Sequence, residues 1–162
     1  MKKIGLLSDT HAYWDEKFAF YFSDCDEIWH AGDIGSEEVL NRLQLLKTVR
    51  AVYGNVDGHL LQAICPKVLR FRLEEVDVLL THIGGYPGKY NCEFHNELYN
   101  NSPKLLVCGH SHILKIMYDK HLQMLCINPG ASGKYGFHQV RTLLRFTVDG
   151  AEIKNMEIIE LR

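Results

Sequence analysis

The sequence lacks the cysteine pattern of a disulfide-stabilised or zinc-ribbon protein. Its five cysteines, at positions 25, 65, 92, 108 and 126, form no C-x-x-C pair, and their number is odd. In a secreted domain an even, regularly spaced set is the usual sign of a disulfide framework. We therefore expect reduced thiols that are mostly buried.

Long hydrophobic runs and a strong net charge are also absent. The apolar stretch after the first lysines, Ile4–Leu7, is too short for a signal-peptide core or a membrane span. The 18 Lys and Arg residues against 20 Asp and Glu residues give a formal net charge of −2, without a dense basic run. We expect a cytoplasmic protein that has no membrane contact and no extended nucleic-acid surface.

No linker, low-complexity tract or internal repeat divides the chain. With 162 residues, 46% hydrophobic and 23% charged, it has the size and composition of one globular domain. We expect a single domain over residues 1–162. The unusual feature is its nine histidines, because histidine is the commonest metal ligand in proteins.

The first third of the chain alternates short apolar strands with helical patterns. Strands are predicted at 3–8, 27–30 and 48–53, with helices at 16–22 and from Ser36 to about residue 46. This β-α-β-α-β order predicts parallel strands joined by right-handed crossovers.

The second half is richer in strands, and contains one further predicted helix at 94–99. The strands are predicted at 68–74, 76–81, 105–108, 113–118, 123–128, 142–148 and 152–159. Asp149-Gly150, between the last two, is a strong hairpin signal. We predict an α/β sandwich of two sheets, one parallel or mixed and one more antiparallel, with helices outside.

Seven potential metal ligands share one property: each lies in a cluster directly after a predicted strand. They are Asp9, His11, Asp33, Asn55, His82, His110 and His112. Ligands in open α/β sheets bind beyond the carboxyl ends of strands, so five loops are predicted at one rim. Asp and Asn are also common turn residues, but five clusters in phase favour a metal site.

Histidine, carboxylate and amide ligands without thiolate suit manganese, iron, zinc or nickel. Glycines precede Asp33, Asn55 and His110, and they allow the backbone to approach the metals closely. Paired metals roughly 3.5–4 Å apart generate a nucleophile from water and polarise a phosphoryl oxygen. The pattern therefore indicates phosphoryl chemistry.

The series D-x-H, G-D, G-N, H and G-H-x-H resembles the calcineurin-like metallophosphoesterases, especially the small prokaryotic YfcE-type phosphodiesterase branch. The resemblance extends from Lys3 to the Asn128-Pro129-Gly130 turn. It implies a four-layer α-β-β-α sandwich and two divalent transition metals, with manganese expected first and nickel, iron or zinc as alternatives. It also implies one metal held by Asp9, His11, Asp33 and His112, and another held by Asp33, Asn55, His82 and His110.

By that resemblance, a metal-bridging hydroxide attacks a small phosphate ester, most readily a diester, and Asp33, Asn55 and His110 take part in catalysis. Two alternatives stay open at this point. One is a phosphomonoesterase or nucleotidase that uses the same site, and the other is a non-catalytic scaffold with the same fold. A homo-oligomer is also possible.

One position departs from the family pattern. Many members have histidine after the motif asparagine, and the small prokaryotic branch often has cysteine, whereas this chain has Val56. Valine cannot donate a proton, and general acid catalysis contributes about 10²–10⁴ in rate. We expect slower turnover, a substrate with a good leaving group, or another donor. His59 is the candidate donor, and a solvated loop histidine is the alternative.

Three other features have two readings each. Asp57 is either a residue that orients a ligand or the acceptor of a local turn. The loop Gly84–Tyr90 after His82 either overhangs the metals, where Tyr86 or Tyr90 stacks on a base, or is a simple glycine-rich turn. His30, on a predicted strand, is expected to be a hydrogen-bonded core histidine.

Overall fold

The computed structural model describes residues 1–162 as twelve β-strands, four α-helices and one 3₁₀ helix. The strands, in chain order, are β1 (Lys2–Leu7), β2 (Glu27–His30), β3 (Thr48–Ala51), β4 (Val68–Leu73), β5 (Val76–Thr81), β6 (Gly85–Tyr86), β7 (Lys89–Tyr90), β8 (Leu105–Val107), β9 (Leu114–Asp119), β10 (Met124–Pro129), β11 (Arg141–Asp149) and β12 (Glu152–Leu161). The helices are α1 (Glu16–Phe22), α2 (Glu37–Leu46), α3 (His59–Ile64) and α4 (His95–Asn100), and the 3₁₀ helix is Cys92–Phe94.

Ten strands form two five-stranded sheets, and β6 and β7 form a separate hairpin. The first sheet has the order β12-β11-β1-β2-β3, and the second has the order β4-β5-β8-β10-β9. In the first sheet β1, β2 and β3 are parallel, as predicted. The second sheet is as mixed as the first, because β8 lies between two parallel neighbours, β5 and β10. The expectation of a more antiparallel second sheet was wrong.

Strand alternation explains the layers. In β1, Ile4 and Leu6 point between the two sheets, whereas Leu7 points to the outer face. The core between the sheets also contains Trp29, Leu144 and Phe146. One set of helices, α1 to α3, packs its apolar residues on the outer face of the first sheet. The 3₁₀ helix and α4 cover the outer face of the second sheet. The predicted four-layer α-β-β-α sandwich is thus confirmed.

Local signals set most helix boundaries. Helix α2 begins where the Ser36 hydroxyl accepts a hydrogen bond from the backbone N–H of Val39, as the sequence predicted. Helix α3 was missed, because it has only six residues and follows Gly58, which has no side chain to cap it. None of the helices combines the length and the apolar character that crossing a membrane requires.

Candidate metal centre

The seven predicted ligands meet at one rim of the sandwich. The parallel strands β1, β2 and β3 of the first sheet and β5 and β8 of the second all end there. The loop after β1 continues to pair with the loop after β2, because the backbone N–H of His11 donates to the carbonyl of Asp33 at 3.0 Å. The backbone N–H of His110, after β8 of the second sheet, donates to Oδ2 of Asp9 in the first at 3.1 Å, so the ligand loops of the two sheets meet.

One group of three potential ligands contains Asp9, His11 and His112. The Nε2 atom of His112 lies 3.2 Å from Oδ1 of Asp9, and Nε2 of His11 lies 3.8 Å from the same oxygen. Asp9 Oδ1 and His11 Nε2 are both buried and have no hydrogen-bond partner. Unpaired buried polar atoms are costly, so a cation between them fits this group.

A second group contains Asp33, His82 and His110. Oδ2 of Asp33 lies 3.1 Å from Nε2 of His82. The side-chain oxygen of Asn55 lies 3.0 Å from both Nε2 of His82 and Nδ1 of His110. These atoms are lone-pair acceptors when the imidazoles are neutral, so the donor set again fits a cation.

Asp33 stands between the two groups. Its Oδ2 lies 3.7 Å from Nε2 of His11, which belongs to the first group, and 3.1 Å from Nε2 of His82. Its other oxygen, Oδ1, accepts a hydrogen bond from the backbone N–H of Val56 at 3.0 Å. Val56 thus orients this carboxylate through its backbone, although its side chain has no acid or base.

His82 and Asp9 are each held in place by hydrogen bonds to one of their two polar side-chain atoms. The Nδ1–H of His82 donates to the carbonyl of Ala31 at 2.7 Å, which turns Nε2 towards the site, where the neutral imidazole offers its lone pair. Oδ2 of Asp9 accepts hydrogen bonds from the Ser8 hydroxyl at 2.6 Å and from the backbone N–H of His110 at 3.1 Å. One atom of each side chain is fixed and the other is free.

Five predicted ligands have a left-handed backbone, which non-glycine residues rarely adopt. They are Asp9 (φ 54°), His11 (φ 45°), Asp33 (φ 55°), His110 (φ 70°) and His112 (φ 62°). Strain of this kind clusters at functional sites. This backbone conformation could not be predicted from the sequence, because none of the candidate ligands is glycine.

The surroundings of Asp9 and Asp33 lower the pKa of both carboxyl groups, so both stay ionised. Burial opposes ionisation of Asp9, but the neighbouring His11 and His112 imidazoles outweigh it and hold its pKa below the usual range. For Asp33 burial is likewise outweighed, by His82 and the Val56 N–H, and the pKa is lowered. Asp9 raises the pKa of His11, whereas burial lowers the pKa of His110. Two anionic carboxylates among imidazoles attract a divalent cation.

Glycine is required where the loops approach most closely. A Cβ atom at Gly54 would overlap the carboxylate and the backbone nitrogen of Asp33. Gly32, with φ 100°, lies against the His82 ring in the same way. The prediction that glycines next to the ligands permit close approach is confirmed.

Asp57 and Asn128 make more hydrogen bonds to the loops of the site than the sequence alone predicted. Asp57 is buried and its carboxylate accepts backbone N–H groups of Ile34, Gly35 and Gly54, so it fastens the loop after β2 to the loop after β3. A local turn, one of the two roles predicted for Asp57, would account only for the bond from the Gly54 N–H.

The side chain of Asn128 donates to the carbonyl of Gly109 at 2.9 Å and to the hydroxyl of Ser111 at 3.1 Å. It therefore braces the loop that carries His110 and His112. The N-P-G turn was the sequence signal for this segment.

Two other histidines lie apart from the ligands. His30 is fully buried and lies 2.9 Å from the Thr10 hydroxyl, so the core-histidine prediction is confirmed. His59 is the exposed first residue of α3 and borders a surface cavity with Gly35 and Glu37. It makes no hydrogen bond with the seven candidate ligands, and its role as a proton donor stays a prediction.

A two-sheet α/β sandwich with a histidine- and aspartate-rich rim is the architecture of a metallophosphoesterase. Residues 1–151 match the calcineurin-like phosphoesterase superfamily domain, and the chain belongs to this superfamily. A probable metallophosphoesterase of Methanothermobacter thermautotrophicus is 30% identical over 135 residues, which cover 79% of this chain and 76% of the relative. Another, from Methanocaldococcus jannaschii, is 31% identical over 135 residues, covering 79% and 67%.

Solved structures show the same fold. An archaeal protein described as a novel phosphodiesterase superposes with a TM-score of 0.78 at 23% identity, covering 98% of this chain and 99% of that one. Vps29 of Chaetomium thermophilum also gives a TM-score of 0.78, at 12% identity, with 99% and 97% coverage. At these identities the likeness concerns the fold alone.

Proposed function

We propose that this protein is a phosphodiesterase with a dinuclear metal centre held by the seven candidate ligands. The observation that carries the proposal is the position of Asp33, whose Oδ2 reaches the histidines of both ligand groups. When bound, paired divalent metals supply a nucleophile derived from water and stabilise the charge that develops on the phosphoryl oxygens. Manganese is our first expectation, and nickel, iron or zinc are alternatives.

The residues of this chain would divide the remaining tasks. Asp9, His11, His82 and His112 are buried or half-buried and hold the metals in fixed positions. Asn55 and His110 are exposed at the rim, within hydrogen-bond distance of each other. We assign these two a second task besides holding a metal, which is contact with the phosphate of the substrate.

Val56 favours a diester over a monoester with a poor leaving group. Its side chain is 53% exposed at the rim and offers no proton to a leaving oxygen. A substrate whose leaving group needs no protonation is therefore turned over best. A phosphomonoesterase is the second candidate. A non-catalytic scaffold is disfavoured because the ligand set is complete.

The test is hydrolysis of bis(p-nitrophenyl) phosphate by metal-stripped protein to which Mn²⁺ or Ni²⁺ is returned. We expect activity only with metal, loss of about 10³-fold or more in His82→Ala, and no loss in the matched control His95→Ala. The rate on p-nitrophenyl phosphate, measured beside it, should be lower. A protein inactive with every metal would contradict the proposal, and faster monoester hydrolysis would favour the second candidate.

A further inference from the structure

We infer that the cavity beside His110 is a subsite for a single aromatic ring carried by one ester group of the substrate. This inference rests on the proposed function. The cavity has a volume of about 190 Å³ and shares His110 with the second ligand group. Its apolar lining comes from Ile83, Tyr86, Cys108, Met117, Cys126 and Ile127, and its polar side chains besides His110 are Ser111, Lys115 and Asn128.

Buried cysteines line the inner part of the cavity. Cys108 is buried and carries a free thiol. Cys126 is also buried, and a neutral thiol behaves as a small apolar group. The inner surface therefore favours an apolar occupant over a charged one.

The hairpin of β6 and β7 forms the outer wall. The Tyr90 hydroxyl donates to Asp119 at 2.6 Å and fixes the hairpin to β9. Tyr86, in the same hairpin, has the Nζ of Lys115 3.5 Å from its ring centroid. Tyr86 and Met117 stay 37% and 40% exposed, which leaves apolar surface open towards the cavity.

The volume of the cavity beside His110 indicates the size of the group that can occupy it. A cavity of about 150 Å³ lined by apolar side chains accommodates a benzene molecule, so the space beside His110 suits one ring. On the other side of His82 a second cavity, of about 220 Å³, is lined by Asn55, Lys67 and Glu93 among others. The site therefore offers two separate cavities, one for each ester group of a diester, and the one beside His110 has the size of a single ring. The substrate class is a phosphodiester with one monocyclic aromatic ester group.

The test compares the binding of phenylphosphonate and methylphosphonate to Mn²⁺-loaded protein by isothermal titration calorimetry. Both anions offer the same phosphonate to the metals and differ only in the ring. We expect phenylphosphonate to bind at least about tenfold more tightly, because the ring is removed from water.

Two variants remove the walls of the subsite. Tyr86→Ala and Met117→Ser should reduce the preference for phenylphosphonate to less than about threefold. Tyr118→Ala is the matched control, since this exposed tyrosine follows Met117 on β9 and lines a different cavity. It should keep the preference.

Equal affinity of the two anions for the unaltered protein would overturn the subsite and leave the proposed function intact. A preference that survives both wall variants would also overturn it. Failure of both anions to bind, together with no hydrolysis of any ester, would overturn the proposed function and the subsite with it.

Discussion

Strained backbone at the candidate ligands is the residue-scale feature that most clearly separates a built site from ordinary turns. A left-handed non-glycine residue costs about 1–3 kcal/mol, and Asp33 and His110 both adopt this conformation. Backbone hydrogen bonds between the loops, such as the one from the His11 N–H to the Asp33 carbonyl, maintain it. Ligand positions are thus set before a metal arrives.

His30 leads to a prediction about pH. Burial lowers its pKa to about 4 in the folded protein, from 6.5 in an exposed histidine. Between these pH values the unfolded chain binds a proton that the folded chain does not, so stability falls as the pH falls. We expect the stability advantage of the unaltered protein over His30→Gln to shrink by about 2 kcal/mol between pH 7 and pH 5.

Urea unfolding of both proteins at the two pH values measures this difference. Titration of the other histidines largely cancels in the comparison, because both proteins contain them. An unchanged difference would show that His30 is not held neutral.

At this scale the sequence predicted which side chains converge at the rim, but not the residues that support them. Residue type and spacing after strands were enough to select His82 and Asp33. Two of the three backbone bonds of Asp57, those from Ile34 and Gly35, could not be predicted, because they join loops that are 23 and 22 residues apart in the chain. Such contacts depend on how the loops fold around each other.

Among the elements, the loop after β3 packs closely against the loop that carries Asp33. In Gly54→Ala the new methyl group would overlap Asp33, so the carboxylate must move. We expect affinity for Mn²⁺ to fall by about 10–100-fold, measured by calorimetric titration. The control is Gly58→Ala, because a Cβ atom there meets nothing within 4 Å. Equal losses in both variants would contradict this account of the loop.

Element boundaries were predictable where a local signal existed. The Ser36 cap and the Asp149-Gly150 hairpin are both present. Helix α3 and the β6–β7 hairpin were not predicted, because six- and two-residue elements are too short to show a period. Their positions are decided by packing at the rim.

At the scale of the whole molecule, the core between the sheets holds the two halves of the site together. Leu144 is fully buried there. Leu144→Ala should lower the free energy of unfolding by about 2–5 kcal/mol, whereas Leu45→Ala, at an 86% exposed position, should change it by less than about 0.5 kcal/mol. Urea denaturation measures both. A cost below about 1 kcal/mol for Leu144→Ala would contradict close packing of the sheets.

The sandwich and its layers were predictable from alternation, but the strand order of the second sheet was not. The chain places β9 at the edge and brings β10 next to β8. Neighbours in sequence are thereby separated in space, and only non-local pairing decides this. The meeting of the candidate ligands at one rim could be predicted without that order. The strands that precede them are parallel within each sheet, β1 with β2 and β3 and β5 with β8, so their ends lie at the same edge.

The central claim is that seven side chains hold two metals that share Asp33. The most direct test counts Mn²⁺ bound per chain after metal-stripped protein is dialysed against the ion. We predict two ions per chain, and the loss of at least one in Asp33→Asn. One ion per chain in the unaltered protein, or two ions that Asp33→Asn leaves in place, would contradict the shared dinuclear centre.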